Sequence, residues 1–133
     1  MSGSIDTIIT KRLFDFSKVA SGQTQDIHLV RAIDVTDAKA VDLIVRVHSR
    51  TITAGSVDVI AQAVSLTAEE PDTDFVYGTA LATIPLVSAA PVLHLASLTA
   101  PFGHMIRVIL RATGGASATI QVYLSIDVVK RDN

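Results

Sequence analysis

The feature that most constrains the fold of this chain is a run of strict alternation from Ser117 to Val129. Side chains alternate across a β-strand, so apolar residues at every second position predict a strand with one buried and one wetted face. The positions predicted to be buried are Ala118, Ile120, Val122, Leu124, Ile126 and Val128, and those that can face water are Ser117, Thr119, Gln121, Tyr123, Ser125 and Asp127.

Two pairs of alternating runs are each separated by a glycine-containing turn. Met105 to Ala112 precedes the run from Ser117 to Val129, with Gly114-Gly115 between them. This pair predicts an antiparallel hairpin. Val41 to His48 and Val57 to Val64 flank Ala54-Gly55 and predict a second hairpin.

The rest of the chain adds further short strands separated by turn residues. We predict them at Ile27 to Ile33, Phe75 to Ile84 and Val92 to Leu98, and we interpret residues 1–13 as an edge strand or an arm. No segment shows a sustained helical period. About eight strands in 133 residues predict a single all-β domain over residues 1–133, an antiparallel β-sandwich and most simply a jelly roll.

The composition indicates that part of the surface meets protein. Hydrophobic residues make up 49% of the chain, while only 18% are charged and Trp is absent. A folded monomer of this mass exposes on the order of 6,700 Å², and this chain has little charge to spread over that area. We therefore expect a homo-oligomer, with a trimer or a subunit of a symmetric array favoured. The alternative is that Ser, Thr and Ala cover the outside.

Several partner classes are disfavoured by charge and by residue content. A net charge of −2 with scattered Lys and Arg argues against nucleic acid. The absence of cysteine excludes disulfides, thiolate metal ligands and cysteine nucleophiles. The N-terminal residues lack a basic segment followed by an apolar one, and no apolar run is long enough for a spanning helix, so we expect no signal peptide and no membrane partner.

The residues that could carry metal chemistry are spread along the chain. No two of His28, His48, His94 and His104 are closer than ten residues, and each lies in or beside a predicted strand, where we expect it to face outward. The acidic segment Glu69 to Asp74 offers oxygen ligands for a cation, but it lacks the glycine and distal glutamate of an EF-hand loop. We interpret it as a solvated loop and predict no cofactor and no metal.

The sequence also lacks complete patterns for a catalytic site. Asp42 and Asp58 could form the carboxylate pair of a glycoside hydrolase, but no aromatic platform for a sugar accompanies them. The sequence also contains no Gly-x-Ser-x-Gly nucleophile motif. We predict that the protein is not an enzyme and has no catalytic residues.

The leading interface candidates are outward residues of the best strands. Arg107 and Arg111 share one face, about 13 Å apart at the strand rise, with Ile109 between them, and Arg46 lies outward on another strand. An apolar residue framed by arginines is typical of a protein interface. The alternative is a wetted face with one exposed isoleucine.

Three stretches together resemble a known class of proteins. They are the start Met1-Ser-Gly-Ser-Ile, the Ala-, Ser- and Thr-rich middle from Thr79 to Ala100, and the closing segment from Ile106 to Leu124. The chain resembles the small β-sandwich structural proteins of tailed-phage and phage-like particles, head decoration or minor virion proteins in particular. The resemblance implies a location in the virion and binding, without chemistry, to capsid or other virion proteins of a capsid or tail lattice.

A carbohydrate- or ligand-binding β-sandwich module is the alternative function. Sugar sites depend on exposed aromatic faces, and the chain has no Trp and two Tyr, which counts against this alternative.

Overall fold

The computed structural model describes residues 3–66, 75–98 and 105–131, which form eight strands and no helix. This confirms the all-β prediction. The strands are β1 (Gly3–Asp15), β2 (Thr24–Asp34), β3 (Ala40–Ile52), β4 (Ser56–Leu66), β5 (Phe75–Pro85), β6 (Val92–Ser97), β7 (Met105–Thr113) and β8 (Ile120–Arg131). In these residues no helix with the length and apolar character needed to cross a membrane occurs.

The strands form two antiparallel four-stranded sheets. The first sheet has the order β1-β8-β3-β6 and the second has the order β2-β7-β4-β5. Of the strands in the described residues, only β4 and β5 are both consecutive and paired. All other connections carry the chain from one sheet to the other, which is the strand arrangement of a jelly roll, as predicted.

Both predicted hairpins are wrong. β7 pairs with β2 and β4, whereas β8 pairs with β1 and β3. β3 and β4 likewise lie in different sheets. Alternation specifies which face a residue occupies but not which strand lies beside it, so a short connection between sheets has the same signature as a hairpin turn.

The glycines of these connections permit close packing at one end of the sandwich. A Cβ atom on Gly55, whose φ is 84°, would lie 2.3 Å from the carbonyl oxygen of Thr113. A Cβ atom on Gly114 would lie 2.2 Å from the carbonyl oxygen of Ala20. The β1–β2, β3–β4 and β7–β8 connections therefore meet where only glycine leaves enough room, and hydrogen bonds join them, including Gly22 N to Gly114 O at 3.1 Å.

The core lies between the sheets and contains the predicted face of β8. Ile120, Val122, Leu124, Ile126 and Val128 are all fully buried, which confirms the prediction for these residues. Ala118 is only partly buried, because β8 begins at Ile120 and Ser117 to Thr119 belong to the preceding connection. On β1 and just after it, Phe14 and Phe16 stack in the core with ring centroids 6.3 Å apart.

Candidate interaction surfaces

The predicted group Arg107, Ile109 and Arg111 lies on the outer face of the second sheet. Alternation is confirmed there, because the intervening residues Ile106, Val108 and Leu110 lie in the core. The expected exposure of these residues is not confirmed, because Ile109 is 0% exposed and Arg107 is 6% exposed. The structure thus corrects the picture of an accessible isoleucine framed by arginines.

Ile109 has a neighbour on each of the two adjacent strands. Ile109 pairs with Ile60 on β4 and with His28 on β2, and Ile60 is itself buried. Arg107, one step along the same face, donates from Nε to Gln62 Oε1 at 2.7 Å and has Nη1 3.3 Å from His28 Nδ1. The guanidinium of Arg107 therefore binds groups of its own chain. Ile109 and Ile60 lie one step along the same face of the sheet.

Arg111 is also engaged within the chain. Its Nε and Nη2 donate to the two carboxylate oxygens of Asp26 at 2.8 and 3.0 Å, and these hydrogen bonds lower the pKa of Asp26 and raise that of Arg111. On the other side, Asp58 pairs with Arg111 across the ladder. Partial burial raises the pKa of Asp58, and the positive charge of Arg111 opposes that shift.

Arg46 occupies the opposite face of the sandwich. It lies on the outer face of the first sheet, where its Nη1 donates to Asp127 Oδ2 at 2.6 Å. The four predicted interface residues therefore form no single surface. Their part in an interface stays a prediction, with Arg46 and Arg111 the more accessible members.

Exposed apolar residues lie instead at both edges of the first sheet. On β6, Leu93 is 54% and Leu95 is 66% exposed, and Ile44 of β3 lies beside Leu95 in the ladder. We call these three residues the β6 patch. On β1, at the opposite edge, Ile5 is 64% and Leu13 is 57% exposed.

The β6 patch escaped sequence reasoning although a signal for it was present. From Phe75 to Ile106 the chain contains no Asp, Glu, Lys or Arg. The alternation in β6 is ordinary and the strand is short, so its pattern does not distinguish it from the longer strands. The missing charges were the better indicator, because solvent-facing strands of a monomer normally carry them.

The histidines occupy three different environments. His28 lies near Arg107, and His48 has its Nε2 2.9 Å from Ser125 Oγ and its ring 5.4 Å from that of Tyr123. His94 corrects the expectation of an outward face: it pairs with the buried Val45, and its Nε2 is buried with no hydrogen-bond partner among the described residues. His104 lies outside the described residues.

The other candidate chemistry is separated in space. Asp42 lies on the outer face of the first sheet, where it accepts a hydrogen bond from Ser97 Oγ at 2.8 Å and pairs with Arg131. Asp58 lies on the outer face of the second sheet, so the fold does not bring these two carboxylates together. Within the described part of the chain, no group of three or more His, Cys, Asp or Glu is placed to hold a metal ion. The acidic segment Glu69 to Asp74 lies outside that part.

Comparison with solved structures reveals a fold shared with one viral protein chain. No protein-family model matches the sequence. No curated protein matches it either. A chain in the structure of infectious bursal disease virus, Gx strain, superposes with a TM-score of 0.53 at 14% identity; the match covers 96% of this chain and 31% of that one. A chain from the Bacillus endospore appendages described as disulfide-linked pili gives a TM-score of 0.44 at 13% identity, covering 100% of this chain and 93% of that one.

Proposed function

We propose that this protein is a non-enzymatic structural component of a phage or phage-like particle, where it binds a capsid or tail lattice as a decoration or minor virion protein. It works as a homo-oligomer, and its partners are its own copies and other virion proteins. The observation that carries the proposal is the pair of exposed apolar edges on the first sheet, Leu93 with Leu95 at one edge and Ile5 with Leu13 at the other.

Exposed apolar edges favour an assembly over an isolated subunit. Each leucine or isoleucine left in water forgoes on the order of 1.5 to 3 kcal/mol that burial would provide. Apolar positions at two opposite edges give one subunit two separate surfaces for contact. Such a subunit suits a symmetric array, or a trimer that docks on a lattice.

Two further observations support a structural role. The carboxylate pair considered for hydrolysis is divided between opposite faces, as shown by the pairing of Asp42 with Val129 and of Asp58 with Arg111. The fold is also that of a chain in a virus structure, although it spans only 31% of that chain.

The native mass tests the oligomeric part of the proposal. Sedimentation-velocity and equilibrium measurements at tens of micromolar are expected to give a multiple of the 14.1 kDa monomer. A chain that remains monomeric, alone and with purified particles, contradicts the proposal and favours the ligand-binding module.

The particle assignment has its own test. Mass spectrometry of purified particles from cells that make this protein is expected to find it in a fixed ratio to the major shell protein. An oligomer that is absent from every particle fraction would show that the assembly is correct and the virion location is wrong.

A further inference from the structure

The four edge strands of the sandwich differ in how regularly they pair. β1, β2 and β5 each contain two register shifts against their neighbours. The pairing of β6 with β3 runs from Val47↔Val92 to Asp42↔Ser97 without a shift. Bulges and irregularities protect an edge from further pairing, so β6 is the edge strand in the described residues that lacks this protection.

Charge does not protect β6 either. Edge strands of monomeric proteins usually carry Lys or other charges, and β1 has Asp6, Lys11, Arg12 and Asp15. β6 reads Val-Leu-His-Leu-Ala-Ser, with exposed leucines on its outer face. A regular, uncharged edge presents an open row of backbone N–H and C=O groups, and the ligand that matches such a row is another β-strand.

We infer that β6 pairs antiparallel with β6 of a second copy of this chain, about a two-fold axis at His94, so that the two first sheets join into one continuous sheet. The inference rests on the proposed homo-oligomeric role and names the surface that provides one of its contacts.

The register follows from the residues of the strand. In a two-fold antiparallel pair, partners lie on the same face, so the axis must pass through a residue and not between two residues. Centring the axis on Leu93 would set Leu95 against Pro91, and centring it on Leu95 would set Leu93 against Ser97. Only an axis at His94 sets Leu93 of each copy against Leu95 of the other, so that all four leucines are covered.

His94 supplies a second, independent observation. Its Nε2 is buried and has no hydrogen-bond partner among the described residues, which is a costly state for a polar atom. At the two-fold axis, His94 of one copy lies directly across from His94 of the other. When each ring turns toward the edge of the sheet, one neutral imidazole can donate its ring N–H to the acceptor nitrogen of the other.

Charge variants of the leucines test both the surface and the register. Leu93→Lys/Leu95→Lys sets lysines against lysines and is expected to abolish the β6 contact. Leu93→Lys/Leu95→Glu sets each introduced lysine against the glutamate of the other copy and is expected to retain it. Val87→Lys is the matched control, because Val87 is 67% exposed but lies in the β5–β6 connection, away from the strand. Sedimentation gives the mass, and far-UV circular dichroism confirms that each variant is folded.

Disulfide trapping tests the axis directly, because the chain has no cysteine of its own. Mixing differently tagged Leu93→Cys and Leu95→Cys chains under mild oxidation is expected to give a cross-linked heterodimer. Neither variant alone, nor a mixture of Val87→Cys with Leu95→Cys, is expected to cross-link to a comparable yield.

The outcomes separate this inference from the proposed function. If the wild type is an oligomer, if the double-lysine substitution leaves its mass unchanged, and if no selective cross-link forms, the β6 contact is overturned. The proposed function is then unaffected. A wild type that is monomeric overturns both. Loss of assembly in both double variants, including the lysine–glutamate one, would contradict the axis at His94.

Discussion

The outer faces of the two sheets differ in the solvent exposure of their outward-facing apolar residues. On the second sheet, Ile109 and Ile60 lie side by side and are buried, with Arg107, Gln62 and His28 hydrogen-bonded in the adjoining positions. On the first sheet, Leu93 and Leu95 follow the same alternation and are exposed. Ile109 lies on a central strand with neighbours on both sides, whereas the leucines lie on an edge strand with a neighbour on one side.

The difference shows that facing outward and being accessible are separate properties. A central strand receives side chains from two neighbours, and long residues such as Arg fold over apolar ones with their stems. An edge strand receives cover from one side only. An apolar residue on an edge strand is therefore the better candidate for an interface. Three variant pairs test the differences in burial and in charge pairing on these outer faces.

The largest difference is expected between Ile109→Ala and Ile5→Ala. Ile109 is fully buried, so truncating it should lower the free energy of unfolding by about 2 to 5 kcal/mol. Ile5, exposed on β1 in the isolated subunit, should change it by no more than about 0.5 kcal/mol when the titration is made at a concentration where the chain is monomeric. Urea denaturation followed by circular dichroism measures both. Similar small losses for the two variants would show that Ile109 is not buried in solution.

A smaller difference is expected between Arg107→Met and Arg46→Met. Methionine keeps much of the apolar stem but removes the guanidinium that donates to Gln62 Oε1, so Arg107→Met should cost about 1 to 3 kcal/mol. The side chain of Arg46 is 48% exposed beside Asp127, and its replacement should cost less than about 1 kcal/mol. The comparison is made in the same urea titrations. An equal or larger cost for Arg46→Met would contradict the contrast between the faces.

The smallest effects, of opposite sign, are expected for Asp26→Asn and Asp58→Asn on the second sheet. The hydrogen bonds from Arg111 lower the pKa of Asp26 below its ordinary 3.8, so its ionised form favours folding at neutral pH. This contribution is lost as the pH falls through the folded-state value. Asp26→Asn should therefore lower stability by less than about 1 kcal/mol at neutral pH, and the loss should shrink in acid.

Asp58 should behave in the reverse manner. Burial raises its pKa, so its ionised form disfavours folding once the pH exceeds the folded-state value. Asp58→Asn should raise stability slightly at neutral pH, with no gain in acid, where Asp58 is protonated in both states. Urea titrations at neutral and acidic pH distinguish the two variants, and the same sign for both would refute the assignment.

The amino-acid sequence alone is enough to predict the fold class and the two faces of each long strand. The period-two pattern identified the core residues Ile120 to Val128 on β8, and turn residues marked the intervals between strands. These properties are local, because the pleat of one strand decides which side chains share a face.

Which strands pair, and which outward residues water can reach, are known only from the three-dimensional structure. The Gly114-Gly115 segment reads as a hairpin turn, yet it crosses between sheets because β2 and β4, not β8, flank β7. Ile109 and Leu95 carry the same local signature, but strand order places one at the centre of a sheet and the other at an edge. Strand order depends on contacts between residues far apart in the sequence, and a two-residue period carries no information about those contacts.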